Sequence, residues 1–128
     1  MRDKDMEEIF YGIYPVTIDF AFEKCLRKQN YRIIILCASL KSVCLYMEYI
    51  SQFYHKVCRR IFTGLTNNFL ELTNGSAIRI LVATDGGKGV RANLLIADEL
   101  VDRKIVEDIY KPCLIKYENN TITVDKNI

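Results

Sequence analysis

At 128 residues the chain can form one compact domain with a real core, or a fragment of a larger one. Half its residues are apolar and its net charge is only +2, which is ordinary for a globular protein and gives no electrostatic case for nucleic-acid binding by itself. No apolar run has the length of a membrane span, no signal peptide is expected, and the five cysteines include no C-x-x-C pair, so free thiols in a reducing cytoplasm are expected.

Met1 to Glu8 alternates charges, and Ile9 to Val16 is aromatic with Gly12 and Pro15, so residues 1–16 are expected to be irregular or to hold a short strand and a turn. From Thr17, Ile18, Phe22, Cys25 and Leu26 share one face of an amphipathic helix ending near Asn30. Arg32 to Cys37 reads as a buried strand. Ser39 then caps a helix with an apolar stripe of Val43, Met47, Ile50, Tyr54 and Val57. Helix, apolar strand, helix is the order of an α/β domain.

Cys58 to Asn68 is poorly patterned and is expected to be a connection. Phe69 to Thr73 and Ser76 to Ala83 flank Asn74-Gly75, a strong hairpin signal that predicts a two-residue turn with positive φ at both positions. Asp85 to Gly89 is a glycine-rich loop. Leu94 to Ala97 is an apolar run too short for a helix, so it reads as a strand buried on both faces. Asp102 caps a helix with Ile105, Val106 and Ile109 that stops at Pro112, and residues 114–124 form a terminal hairpin.

The candidate chemistry lies where the central strand ends, in Asp98-Glu99. In open α/β sheets the carboxyl edge is where ligands bind. An acidic pair there reads as a Walker B element, with Asp98 holding Mg²⁺ through water and Glu99 activating the water that attacks a γ-phosphate. The plainer reading is a solvated acidic helix start, and this segment alone leaves both open. Gly86-Gly87-Lys88-Gly89 is not a P-loop, because a strand follows it instead of a helix, although Lys88 and Arg91 could reach toward phosphate. Ser39-Leu40-Lys41-Ser42 does open a helix but has no glycine to let a polyphosphate approach the backbone. The single histidine, His55, has no second ligand nearby and reads as structural. The basic and aromatic group Tyr54, His55, Lys56, Arg59 and Arg60 reads as a solvated helix end.

Several motifs together resemble one family. Thr73-Asn74-Gly75-Ser76-Ala77-Ile78, then Lys88-Gly89-Val90-Arg91-Ala92-Asn93, running straight into Leu94 to Glu99, is similar to the ATPase domain of tailed-phage terminase large subunits. Arg32 to Leu36 with Ser39-Leu40-Lys41 resembles the strand and turn after that family's P-loop helix. The likeness spans roughly residues 17–115. It implies one partial P-loop NTPase-like α/β domain, with a mainly parallel sheet flanked by helices, a β-hairpin near 69–83 and a tail at 116–128. It also implies a role in ATP-driven DNA packaging in the host cytoplasm, with ATP and Mg²⁺ as cofactors and with DNA and other terminase or portal subunits as partners. Asp98 would be the metal ligand, Glu99 the catalytic residue, and Lys88 and Arg91 the phosphate contacts.

The departures are as informative. At Gly12-Ile13-Tyr14, where the family's Gly-Lys-Ser or Gly-Lys-Thr falls, the lysine and hydroxyl are missing, and with them the charge and the Mg²⁺ ligand that hold a triphosphate. The family's arginine before Gly89 is Lys88. The implied protein is a truncated or split ATPase domain without a nuclease domain, inactive in isolation. The alternative is a catalytically inactive α/β binding or assembly module, either a remnant or the partner of a complementing chain that supplies the P-loop.

Overall fold

The computed structural model describes residues 9–64, 67–84 and 91–115. Its strands are β1 (Ile9–Gly12), β2 (Arg32–Cys37), β3 (Cys58–Phe62), β4 (Asn67–Leu72), β5 (Ala77–Val82) and β6 (Leu94–Asp98). They form one six-stranded sheet in the order β1-β6-β2-β5-β4-β3. Pairing is parallel from β1 through β6 and β2 to β5, and antiparallel from β5 through β4 to β3. The expected mainly parallel sheet is therefore mixed.

Two helices, α1 (Val16–Arg27) and α2 (Leu40–Phe53), cover one face. Ile18, Phe22 and Cys25 of α1 and Val43, Tyr46 and Ile50 of α2 bury against Ile33, Ile35 and Cys37 of β2. The alternate residues Ile34 and Leu36 meet Val106, Tyr110 and Leu114 on the other face. This two-sided burial is why β2 and β6 read as unbroken apolar runs. The second cover is a short helical segment, with α3 (Arg103–Ile105) continuing as a π-turn over Val106–Tyr110 and a 3₁₀ turn over Lys111–Cys113. Asp102 caps it, accepting from the Lys104 amide at 2.9 Å. Ser39 likewise caps α2, accepting from the Ser42 amide at 3.2 Å.

Two expectations are corrected. Cys58–Phe62 is an edge strand, not an unpatterned connection. A register shift between Cys58 and Arg60 brings Arg59 and Arg60 together onto Glu71, at 2.6 and 3.4 Å, so polar side chains on a bulged edge hid the strand's alternation. The Asn74-Gly75 turn is the other. Gly75 has φ of +91° while Asn74 is not in the positive region. The Leu72 carbonyl accepts from the Gly75 amide, and Ser76 closes the loop back onto the Leu72 amide. That is a three-residue hairpin loop with a glycine bulge. The tail expected to form a hairpin lies outside the described residues beyond Ile115. Leu114 forms a parallel bridge to Ala92.

The five cysteines, all among the described residues, are free thiols, with Cys25, Cys37 and Cys113 buried. No helix there is long and apolar enough to cross a membrane.

Candidate functional site

Asp98 closes β6, and the β1/β6 register sets it beside Gly12 at the end of β1. From this edge β1 and β2 send the chain to the face of α1 and α2, while β6 sends it to the opposite face. Neighbouring strands that part in this way leave a crevice at their carboxyl ends, where α/β proteins commonly place ligands.

Here the crevice is filled from within. Tyr46, on the buried side of α2 and 1% exposed, donates its hydroxyl to Asp98 Oδ2 at 2.9 Å. The Tyr46 hydroxyl in turn accepts from Thr17 Oγ1 at 3.1 Å. The other carboxylate oxygen, Asp98 Oδ1, accepts from the Leu100 amide at 3.0 Å and holds the turn that leaves the strand. Both oxygens of this buried carboxylate are thus satisfied by the fold, as a buried charge requires. Burial, together with the bond to Asp98, raises the pKa of the Tyr46 phenol, and burial with the nearby Asp98 charge pushes the Cys37 thiol up to about 12. Glu99 is exposed and binds the β1 end through its backbone, its amide donating to the Gly12 carbonyl at 2.8 Å.

The segment between β1 and α1, where a P-loop would lie, exposes Ile13 and sets the half-exposed Tyr14 against the buried α2 side chain. Tyr14 stacks obliquely on Tyr46, with ring centroids 5.3 Å apart. A Cβ at Gly12 would come within 2.8 Å of Thr17 Cγ2 and 3.1 Å of the Phe10 ring, so the close packing of these two side chains is reason enough for a glycine here. Among the described residues no group of three or more His, Cys, Asp or Glu is placed to hold a metal ion. Magnesium would depend on Asp98, water and phosphate oxygens. As the chain is folded, these residues do not fit a magnesium–triphosphate complex. The cradle lacks a lysine, and the carboxylate is already bonded.

The residues singled out in the sequence are only partly brought together. Asp98 and Glu99 share the carboxyl edge. Arg91 precedes β6 at the amino edge, with the length of the strand between it and Asp98, roughly 16 Å of extended chain. There it lines a groove with Arg32, Arg60, Arg79, Phe69 and Glu71. Lys88 lies outside the described residues.

Sequence reasoning missed Thr17 and Tyr46. A signal existed for Tyr46, which lies three residues after Val43 and four before Ile50 and so shares their helical face. A tyrosine on such a face needs a partner for its hydroxyl. The chain matches no protein-family model, no curated protein and no solved structure, so the class defined by fold and site is a mixed α/β domain with an internally bonded acidic strand end.

Proposed function

We propose that this chain is the ATPase-domain portion of a terminase-type DNA-packaging motor, and that it serves as a non-hydrolysing binding or assembly module. The motif order supports the first half: the Asn-Gly-Ser hairpin, the basic segment and the strand ending in Asp98-Glu99 follow one another as in that family. The observation that carries the second half is the Tyr46 hydroxyl on Asp98, 2.9 Å away, with Thr17 bonded to the same hydroxyl and Tyr14 against the Tyr46 ring. In the active relatives implied by the resemblance, Asp98 would hold Mg²⁺, Glu99 would activate water, and Lys88 or Arg91 would contact phosphate. Here the acidic residues keep a structural task.

A phosphate-release assay on the purified chain with ATP and Mg²⁺ tests this directly. The expected result is no turnover above a no-protein control, and no difference between the chain and its Glu99→Gln variant. Mg²⁺-dependent hydrolysis that Glu99→Gln abolishes would falsify the proposal. Titration with a non-hydrolysable ATP analogue, with and without Mg²⁺, is expected to show no metal-dependent binding that Asp98→Ala removes.

A further inference from the structure

The groove at the amino edge of the parallel strands has a volume of about 620 Å³, within the roughly 300–1,000 Å³ typical of small-molecule sites. Its floor is the part of the sheet face beside the α3 segment, which packs over Ile34, Leu36, Leu81 and Leu95 and is the only helical cover of this face among the described residues. Among the described residues, its lining includes Arg32, Arg60, Arg79 and Arg91 and the carboxylate of Glu71. That carboxylate is already shared between Arg59 and Arg60. Arg60 and Arg91 have partners of their own, which leaves Arg32 and Arg79 as the guanidinium forks that no carboxylate among the described residues bonds, and such forks match the geometry of phosphate oxygens.

The groove also has an apolar, planar element. The Arg79 guanidinium lies over the Phe69 ring, 4.8 Å from its centroid, and is held there by a 3.3 Å bond to Asn67 Oδ1. A guanidinium over a ring keeps its edge donors for an anion, and its outer side is a shelf on which a flat group can lie. The sheet register fixes the arrangement, since Arg79 pairs with Ile34 on one side and Phe69 on the other.

We infer that this groove is a binding site for a small phosphate monoester with a flat organic body, its phosphate held by Arg32 and Arg79 and its body lying on the Phe69–Arg79 shelf. The site is separate from the Asp98 crevice, at the opposite end of β6, and needs no metal ion. The inference therefore stands or falls independently of the terminase reading.

The test is ¹H–¹⁵N correlation NMR of the full chain in EDTA, titrated with phenyl phosphate, adenosine monophosphate, inorganic phosphate and uncharged adenosine. Saturable shifts are expected at the amides of Arg32, Phe69, Ala77 and Arg79, and not at Asp98 or Leu100. At least one of the two aromatic monoesters should bind about tenfold or more tightly than inorganic phosphate. The arm that binds best then distinguishes a simple aryl phosphate from a nucleotide. Arg79→Lys, which keeps the charge and loses the fork, should weaken monoester binding about tenfold while leaving the rest of the spectrum in place. Arg32→Glu, at an exposed position, should weaken it further. Equal affinity for inorganic phosphate and both monoesters, binding of adenosine as tight as that of its monophosphate, shifts centred on Asp98, or no saturable shift at all would each overturn the inference.

Discussion

At the scale of single residues, buried ionisable groups dominate what is measurable. Burial pushes the Cys25 thiol up to about 12, as it does Cys37, from an ordinary value of 9.0. The Tyr46 phenol is raised as well. In the unfolded chain the thiols lose their protons near pH 9, while the folded chain holds them to about 12. Between those limits the unfolded state binds fewer protons, so unfolding free energy falls as pH rises. The contribution is complete below pH 9 and is lost toward pH 12, with a slope of about 1.4 kcal/mol per pH unit for each thiol. Urea denaturation at pH 7.5, 9, 10 and 11 is expected to show a flat region followed by this decline. Cys25→Ala, though less stable at neutral pH through lost packing, should decline less steeply. An unchanged slope would mean that Cys25 does not carry this linkage.

At the scale of elements, the Asn-Gly-Ser turn shows how far sequence pattern reached. That a hairpin forms there was legible, because Asn-Gly between apolar runs has few other uses. Why these residues are needed was not, since their partners lie about forty-five residues upstream in α1 and the turn after it. Asn74 Nδ2 donates to the Cys25 and Lys28 carbonyls, and Ser76 Oγ donates to the Lys28 carbonyl at 2.7 Å while accepting from the Tyr31 amide at 3.0 Å. The motif thus satisfies the open carbonyls at the end of α1 and locks that helix to the hairpin. It has a structural reason here whatever its ancestry. Ser76 is fully buried, so Ser76→Ala should destabilise the fold by about 1–3 kcal/mol, as expected when a buried donor–acceptor pair loses its partner. Gly75→Ala should cost at least as much, because its Cβ would run into Asn30 Oδ1 at a backbone φ that favours glycine. Denaturant midpoints with unchanged slopes measure both. If Ser76→Ala is neutral, the clasp does not hold the helix. The central strands were legible for a related reason, an apolar run being the direct consequence of two-sided burial. The occupied crevice was not, because a hydroxyl meeting a carboxylate fifty-two positions away leaves no local pattern.

At the scale of the whole molecule, the two sides of the sheet are unequally built. Among the described residues one face carries two full helices and the other a single short helical segment. The sheet ends in β1 and β3, each hydrogen-bonded to one neighbour among the described strands. On β3, Ile61 is 39% and Phe62 64% exposed. Arg59 and Arg60 sit at the bulge, where charge and twist discourage pairing, but the bulge lies before Ile61, and the register from Arg60 to Phe62 is regular. An open edge with apolar side chains is a template for a second strand, so we expect self-association through the distal half of β3. Anything that binds only the folded form raises apparent stability with concentration. The melting midpoint should therefore climb as the chain is concentrated from micromolar to hundreds of micromolar, with light scattering reporting a larger species at the upper end. Ile61→Lys, with its charge on the edge, should remove the concentration dependence and leave the dilute midpoint within about 0.5 kcal/mol of the parent, as surface changes usually do. If the midpoint is constant across that range, the edge is closed by other means. If it climbs equally in Ile61→Lys, association runs through another surface, with β1 the next to test.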